Sequence, residues 1–355
     1  MPRYRVLINK ATYSIACSYL KDLKSGKFKP GIYLNQSLRE KDIARLSPDE
    51  FLEILVGTKK PQIFADSSIC GDGTDWFQIE LTILGDICIA VPVTVFDNGS
   101  HSHPKVHQVP FRATLLYVPC ALLENCNGNI PPDLDKVTIN GQIDYNKYYK
   151  LYEKRLLPPF IYSNTVAATK YKKAFITVPD FGCGQFAGKF KGQLGSLLKD
   201  ALKDFLKKHG KRFSQIQAVY YDPYSECDNE RFEINGISFL VRPFTKGNEN
   251  KPQLCEPRIY EEYQDDFRDC SLFSLVAWDH VSWPGNDFYI GIRSKDAGIK
   301  AAATNLMEVV TGVKGYYHVN NNTYKPTERY VCWNTVVMQN KIKLQVKDNL
   351  MVVST

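Results

Sequence analysis

Three aspartates stand 8 and 9 residues apart, at Asp279, Asp287 and Asp296, around the turn Trp283-Pro284-Gly285-Asn286. Carboxylates spaced like this along a strand-to-helix loop can converge on one cleft. There they can orient or deprotonate a water, hold hydroxyls, or pair with a guanidinium, which stays protonated at any working pH. A second stretch with chemical potential is Val178-Pro-Asp-Phe-Gly182-Cys183-Gly184-Gln185-Phe186-Ala187-Gly188. Glycines between a strand and a helix admit positive φ and let backbone amides approach an anion, and the helix N-terminus beyond them favours phosphate. Each stretch also has a plainer reading: the glycines as a tight connection, Asp296 as a helix cap, Asp287 on a solvated turn.

Other candidate chemistries are less well supported by the residues. The glycine spacing comes near a dinucleotide fingerprint, but some 170 residues of other structure precede it, and no acidic residue closes the next strand about 20 positions on. His101, His103 and His107 cluster around one turn without further ligands to complete a metal set, so no metal is expected. His280, next to Asp279 on an extended chain, points to the opposite face and is left out of the catalytic set. Cys183 reads as a small side chain that fits rather than as a reactive thiol.

The elements that must position these residues follow from patterning. Ser47-Pro-Asp-Glu50 is a capping box for a short helix stopped by Gly57. Apolar, β-branched runs from Trp76 to Phe96 and from Phe111 to Leu122 predict strands. Tyr148, Tyr149, Tyr152 and Leu156 predict a helix that Pro158-Pro159 ends. A strand over 174–178, a helix over 191–208 with a leucine-rich face, and a strand over 216–221 make a βαβ crossover and hence a parallel sheet. Asn235-Gly236 marks a hairpin, and a strand over 272–278 leads through the acidic loop to a helix near 296–311.

Composition narrows the class. The chain has 355 residues, 44% hydrophobic and 23% charged, enough to bury a full core. Its net charge of +7 is spread out, and the densest basic run, Lys203 to Arg212, reads as the solvated face and last turn of a helix. No nucleic-acid partner is therefore expected. Ten cysteines without a CxxC pair read as reduced thiols in a cytoplasm, and no apolar stretch approaches the roughly 20 residues of a membrane span.

The segment VPDFGCGQFAG, an amphipathic helix and a strand ending AVYYDPYSE together resemble the phosphate-binding loop of macrodomains. Trp278-Asp279 and Gly285-Asn286-Asp287 look like the counterpart of that family's ribose-holding loop, but here the counterpart follows the phosphate loop. The chain thus reads as circularly permuted. This order, with Ala301-Ala-Ala-Thr-Asn305 and Thr311-Gly-Val-Lys-Gly-Tyr-Tyr317, resembles the arginine-specific ADP-ribosylhydrolase macrodomains over roughly residues 170 to 335.

The resemblance implies an α/β, macrodomain-like three-layer fold with a mixed sheet and helices on both faces. Residues 1–65 would be an N-terminal helical extension and 66–355 the ADP-ribose-binding domain. It implies that Gly182, Cys183, Gly184, Gln185, Phe186, Ala187 and Gly188 wrap a pyrophosphate, that Asn286 lies at the ribose, and that Tyr224 lies on the adenine side. Asp279, Asp287 and Asp296 would be the catalytic set for removing ADP-ribose from arginine, with a non-catalytic reader of ADP-ribose as the alternative. In place of the family's acidic pair this chain has Asp296-Ala297-Gly298. ADP-ribose would be ligand and product, with no further cofactor. The partner would be an ADP-ribosylated protein, met in the host cytoplasm if the chain is an exported effector.

Overall fold

Alternating side chains along the central strands divide between two cores, one on each face of a single sheet. The computed structural model describes residues 3–62, 75–124 and 130–354. The sheet's strands are β1 (Arg5–Asn9), β2 (Ile87–Asp97), β3 (Val106–Pro119), β4 (Lys173–Val178), β5 (Ile216–Tyr221), β6 (Glu230–Ile234), β7 (Ile237–Val241), β8 (Cys270–Trp278) and β9 (Leu350–Val353). Their order is β9-β1-β2-β3-β8-β4-β5-β7-β6. β3, β8, β4, β5 and β7 run parallel to one another, while β1/β2, β2/β3 and β6/β7 are antiparallel. Within β8, Leu272, Val276 and Trp278 enter one core, and Phe273 and Leu275 enter the other.

The α-helices of six residues or more are α1 (Lys10–Lys24), α2 (Ile32–Leu38), α3 (Pro48–Val56), α4 (Gln78–Leu84), α5 (Tyr145–Thr169), α6 (Leu194–His209), α7 (Lys295–Ala302), α8 (Leu306–Thr311) and α9 (Trp333–Gln339). α5 and α6 cover one face, and the N-terminal helices with α7, α8 and α9 cover the other, giving three layers. In α6, Leu194, Leu198, Leu202 and Leu206 are all buried, each contributing about 1.5–3 kcal/mol over exposure. With β4 and β5 paired in parallel around it, α6 completes the expected βαβ unit. Ser47 and Glu50 make both bonds of the capping box. Asn235 (φ 54°) and Gly236 (φ 78°) turn the β6–β7 hairpin.

Several elements differ from expectation for identifiable reasons. The N-terminal segment is helical but also supplies β1, which fills the place between β9 and β2. The boundary placed at residue 65/66 lies outside the described residues. Residues 78–84, read as strand, form α4, which Glu80 caps by accepting the Phe77 amide at 3.1 Å. α5 runs through Pro158 and Pro159 instead of ending there. Pro159 has no N–H for the Arg155 carbonyl, which accepts the Cys88 thiol at 3.4 Å instead. The expected 296–311 helix is two helices, because Asn305 leaves the helix to bond β2. The Thr94 amide donates to Asn305 Oδ1 at 2.7 Å, and the Asn305 amide to the Thr94 carbonyl at 3.2 Å.

Candidate functional site

Because β3, β8 and β4 are parallel neighbours, their C-terminal ends open on the same edge of the sheet, where ligands of open α/β sheets bind. A cleft of about 270 Å3 lies there. Asp180, Gly182, Gly184 and Phe186 form one wall, and Trp278, Asp279, Asn286, Asp287, Asp296 and Ala297 the other. A larger hollow of about 350 Å3 lies at the amino ends of the same strands. It is rimmed by exposed cations and holds none of the chemistry-bearing segments.

The glycine loop has two kinds of glycine. A Cβ on Gly182 (φ 83°) would lie 2.6 Å from Tyr152 Oη, and one on Gly188 (φ 53°) 2.4 Å from a Glu124 carboxylate oxygen. Both residues are therefore glycine for reasons inside the protein as well as for backbone conformation. Tyr152 Oη also accepts the Ala121 amide at 3.2 Å and donates to the Phe181 carbonyl at 3.3 Å, tying the end of β3 to the loop. Gly184 is different, since a Cβ there meets nothing within 4 Å. Its open side belongs to the cleft. Past it, Gln185–Phe190 form a 3-10 turn, so the helix proper begins at Leu194, later than expected. Gln185 and Phe186 line the cleft. Cys183 and Ala187 are buried in the α5–α6 core, and burial pushes the Cys183 thiol well up, as befits packing rather than reactivity.

All three aspartates reach the cleft, each held in its own way. Asp279 is buried and builds the turn that follows it: the Val281 and Ser282 amides donate to Oδ1 at 2.8 and 2.6 Å, and the Ser282 hydroxyl donates to Oδ2. Asp287 is buried within the 3-10 turn Asn286–Ile290, with Lys295 Nζ 3.9 Å from its Oδ2. The turn enters through Gly285 (φ 100°), where a side chain would press on Met307 and Leu306. Asp296 does not take the plainer role of helix cap. It accepts the Ala277 amide from β8 at 2.8 Å and pairs with buried Lys300 at 3.0 Å, fastening α7 to the strand that leads into Asp279.

Tyr224 is not brought to the cleft. It is 55% exposed, and its ring stacks on Phe244. His280 faces away, as expected, and is wholly buried with Nε2 3.1 Å from Asp133 Oδ2. His107 Nε2 lies 2.9 Å from the Leu254 carbonyl, and among the described residues no three His, Cys, Asp or Glu side chains converge as a metal site requires.

The sequence reading missed two groups. Asp180, just after Pro179, lies on the cleft wall, and burial, then Asp222 and Asp296, push its carboxyl up to about 7. Its adjacency to the glycine turn was the available signal. The other is the segment Thr58–Lys60, which clamps the acidic loop from outside. The Lys60 amide donates to the Val281 carbonyl at 2.8 Å, the Trp283 amide to the Lys60 carbonyl at 2.7 Å, and Lys59 Nζ to the His280 carbonyl at 2.5 Å. Burial lowers the Lys59 ammonium to about 7 against the opposing field of Asp279, and Lys59 Nζ lies 4.1 Å from the centre of the Trp278 ring. Nothing in local spacing signals a contact more than 200 residues away in the chain.

The arrangement is a glycine-rich loop facing a wall of carboxylates across a cleft at the C-terminal edge of the parallel strands. No curated protein matches the chain. A family model described as the macrodomain effector MavL matches residues 4–330, nearly the whole of the sheet and both walls of the cleft. The chain belongs to the MavL family of macrodomain effectors.

Proposed function

We propose that the cleft binds ADP-ribose and hydrolyses the N-glycosidic bond joining it to an arginine side chain. The observation that carries this reading is the meeting of the glycine loop with Asp279, Asp287 and Asp296 in one cleft. Gly184 leaves room for the pyrophosphate, since a side chain there would meet only open space. An arginine guanidinium brings a permanent positive charge that carboxylates complement. In the reaction, water adds to ribose C1″ as the bond to nitrogen breaks. The water's proton passes through a carboxylate to the departing guanidine, which leaves as guanidinium. Asp287 is assigned to the water and guanidinium. Asp296 is assigned to the ribose hydroxyls and the oxocarbenium-like charge. Asp279 acts through the turn it builds.

A binding-only reader is the second reading. It is favoured by the engagement of both Asp279 oxygens within the turn and by Ala297, where the family pattern has a second acid. In both readings binding needs no divalent metal, so a chelator leaves the titration unaltered. The effector family supports a site of action in a host cytoplasm, on an ADP-ribosylated protein.

Gly184→Val tests the anion site. Its branched side chain fills the cleft, not the core, and should weaken ADP-ribose binding by about 2–4 kcal/mol, from overpacking plus lost hydrogen bonds to a charged group. Calorimetry on both proteins checks this, with circular dichroism to verify the fold. Unchanged affinity removes the phosphate role from the loop.

A further inference from the structure

Asp180 is the cleft carboxylate to which the sequence motifs assigned no role. It sits where β4 ends and the glycine loop begins, on the wall a ligand must pass. The cations of the facing wall are committed elsewhere, Lys295 beside Asp287 and Lys300 to Asp296. Among the described residues no cation forms an ion pair with Asp180 itself. The groups around it are mostly acidic: Asp222 at the end of β5, Glu226 in the loop beyond, Asp296 from α7, and the thiols of Cys120 after β3 and Cys183 in the glycine loop. Lys300 is the cation whose field meets that of Asp180.

A pyrophosphate entering this cleft brings negative charge to a space whose two walls already carry Asp180, Asp279, Asp287 and Asp296. Three of the four have bonds or a cation of their own: Asp279 accepts amides, Asp287 lies beside Lys295, and Asp296 pairs with Lys300 and accepts an amide. Asp180 is left as the cleft carboxylate without an ion pair among the described residues, with only the more distant field of Lys300 beside it. We infer that the cleft takes up its anionic ligand together with one proton from solvent, and that Asp180 holds it. The neutral carboxyl removes one repulsive charge and adds an O–H donor beside the anion. Burial and the neighbouring carboxylates support this by keeping the Asp180 carboxyl near neutrality, up to about 7, already in the free protein, with Asp222 raised less, to about 6. The inference rests on the ADP-ribose reading.

Calorimetric titration of the full chain with ADP-ribose, in buffers of different ionisation enthalpy, measures the linked proton directly. Wild type should take up close to one proton per ligand at pH 8 and close to none at pH 5.5. Asp180→Asn, of the same shape without the charge, should lose the uptake. It should bind with little pH dependence and roughly 30-fold tighter than wild type at pH 8.5, since each unit above the Asp180 pKa costs wild type up to tenfold. Asp222→Asn should keep the uptake. Equal apparent enthalpies in all buffers with wild type, or uptake that persists in Asp180→Asn, overturns the inference while leaving the ADP-ribose reading intact. Failure of wild type to bind ADP-ribose overturns both. The wild-type measurement decides even if a variant folds poorly.

Discussion

Asp287→Ala should slow release of ADP-ribose from an arginine conjugate by about 10²- to 10⁴-fold, the range for a positioned acid or base. Its affinity for free ADP-ribose should change far less, because the phosphate loop on the opposite wall stays intact. That split is the signature of a group acting mainly in the transition state. Asp287 is the member of the trio assigned above to the water and guanidinium. Asp279 holds two amides and a hydroxyl of its own turn, and Asp296 fastens α7 to β8, so their loss also disturbs structure. Single-turnover rates with calorimetry on the same preparations check the split. Equal losses in rate and in affinity would make Asp287 a binding residue only.

Arg155→Met should destabilise the fold by about 3–5 kcal/mol, the usual cost of removing one partner from a buried ion pair. Arg155 is fully buried on α5, with Nε 3.2 Å from Asp86 and a terminal nitrogen 2.9 Å from Asp133. Its other terminal nitrogen donates to the Cys120 carbonyl at 2.8 Å, holding the end of β3 beside the cleft. Lys154 at 2.6 Å from Asp86, and Lys136 at 3.2 Å from Asp133, recover part of the loss. Burial alone would raise the Asp133 carboxyl, but Arg155, His280 and Lys136 together hold it well below its ordinary range. A depressed carboxylate stabilises the fold above its unfolded pKa, about 4, and that contribution fades as pH falls below it. Urea unfolding of both proteins at pH 7 and pH 4 measures the difference. It should be largest at pH 7, and a change under 1 kcal/mol there would show the network to be dispensable.

Much of this architecture is legible one segment at a time. Helix α6 has leucines on one face, β4 and β5 are short apolar runs, and Asn235-Gly236 is a hairpin turn, so local periodicity suffices for each. The two walls of the cleft are likewise visible as motifs, because glycines at a strand end and closely spaced aspartates are unusual in themselves. What local pattern misreads are places where tertiary partners override it. Pro158 and Pro159 ought to stop α5, but a thiol on β2 takes the carbonyl that Pro159 cannot serve. The region before β2 is apolar enough for strand, but Gly85, whose Cβ would collide with His280, and the Glu80 cap make residues 78–84 a helix.

Roles within the cleft are harder to read than its membership. Spacing alone treats the three aspartates as equivalent, and only the partners distinguish the turn-builder Asp279 from the strand-fastener Asp296. Asp180 had no pattern beyond its adjacency to the glycine turn, because its perturbation comes first from burial and then from Asp222 and Asp296, 42 and 116 positions away. Gly182 and Gly188 looked like ligand-driven glycines, yet Tyr152 and Glu124 require them too. Tyr224 carried an aromatic signal at a strand end, and the chain turns it outward at positive φ.

The most direct test of the central claim is incubation of the full chain with a protein ADP-ribosylated on arginine, following free ADP-ribose over time. Hydrolysis predicts stoichiometric release by wild type, unaffected by chelator, and a rate at least about 10²-fold lower in Asp287→Ala. A wild-type protein that binds ADP-ribose in calorimetry but releases none from the arginine conjugate would contradict the hydrolase and leave a reader of ADP-ribose.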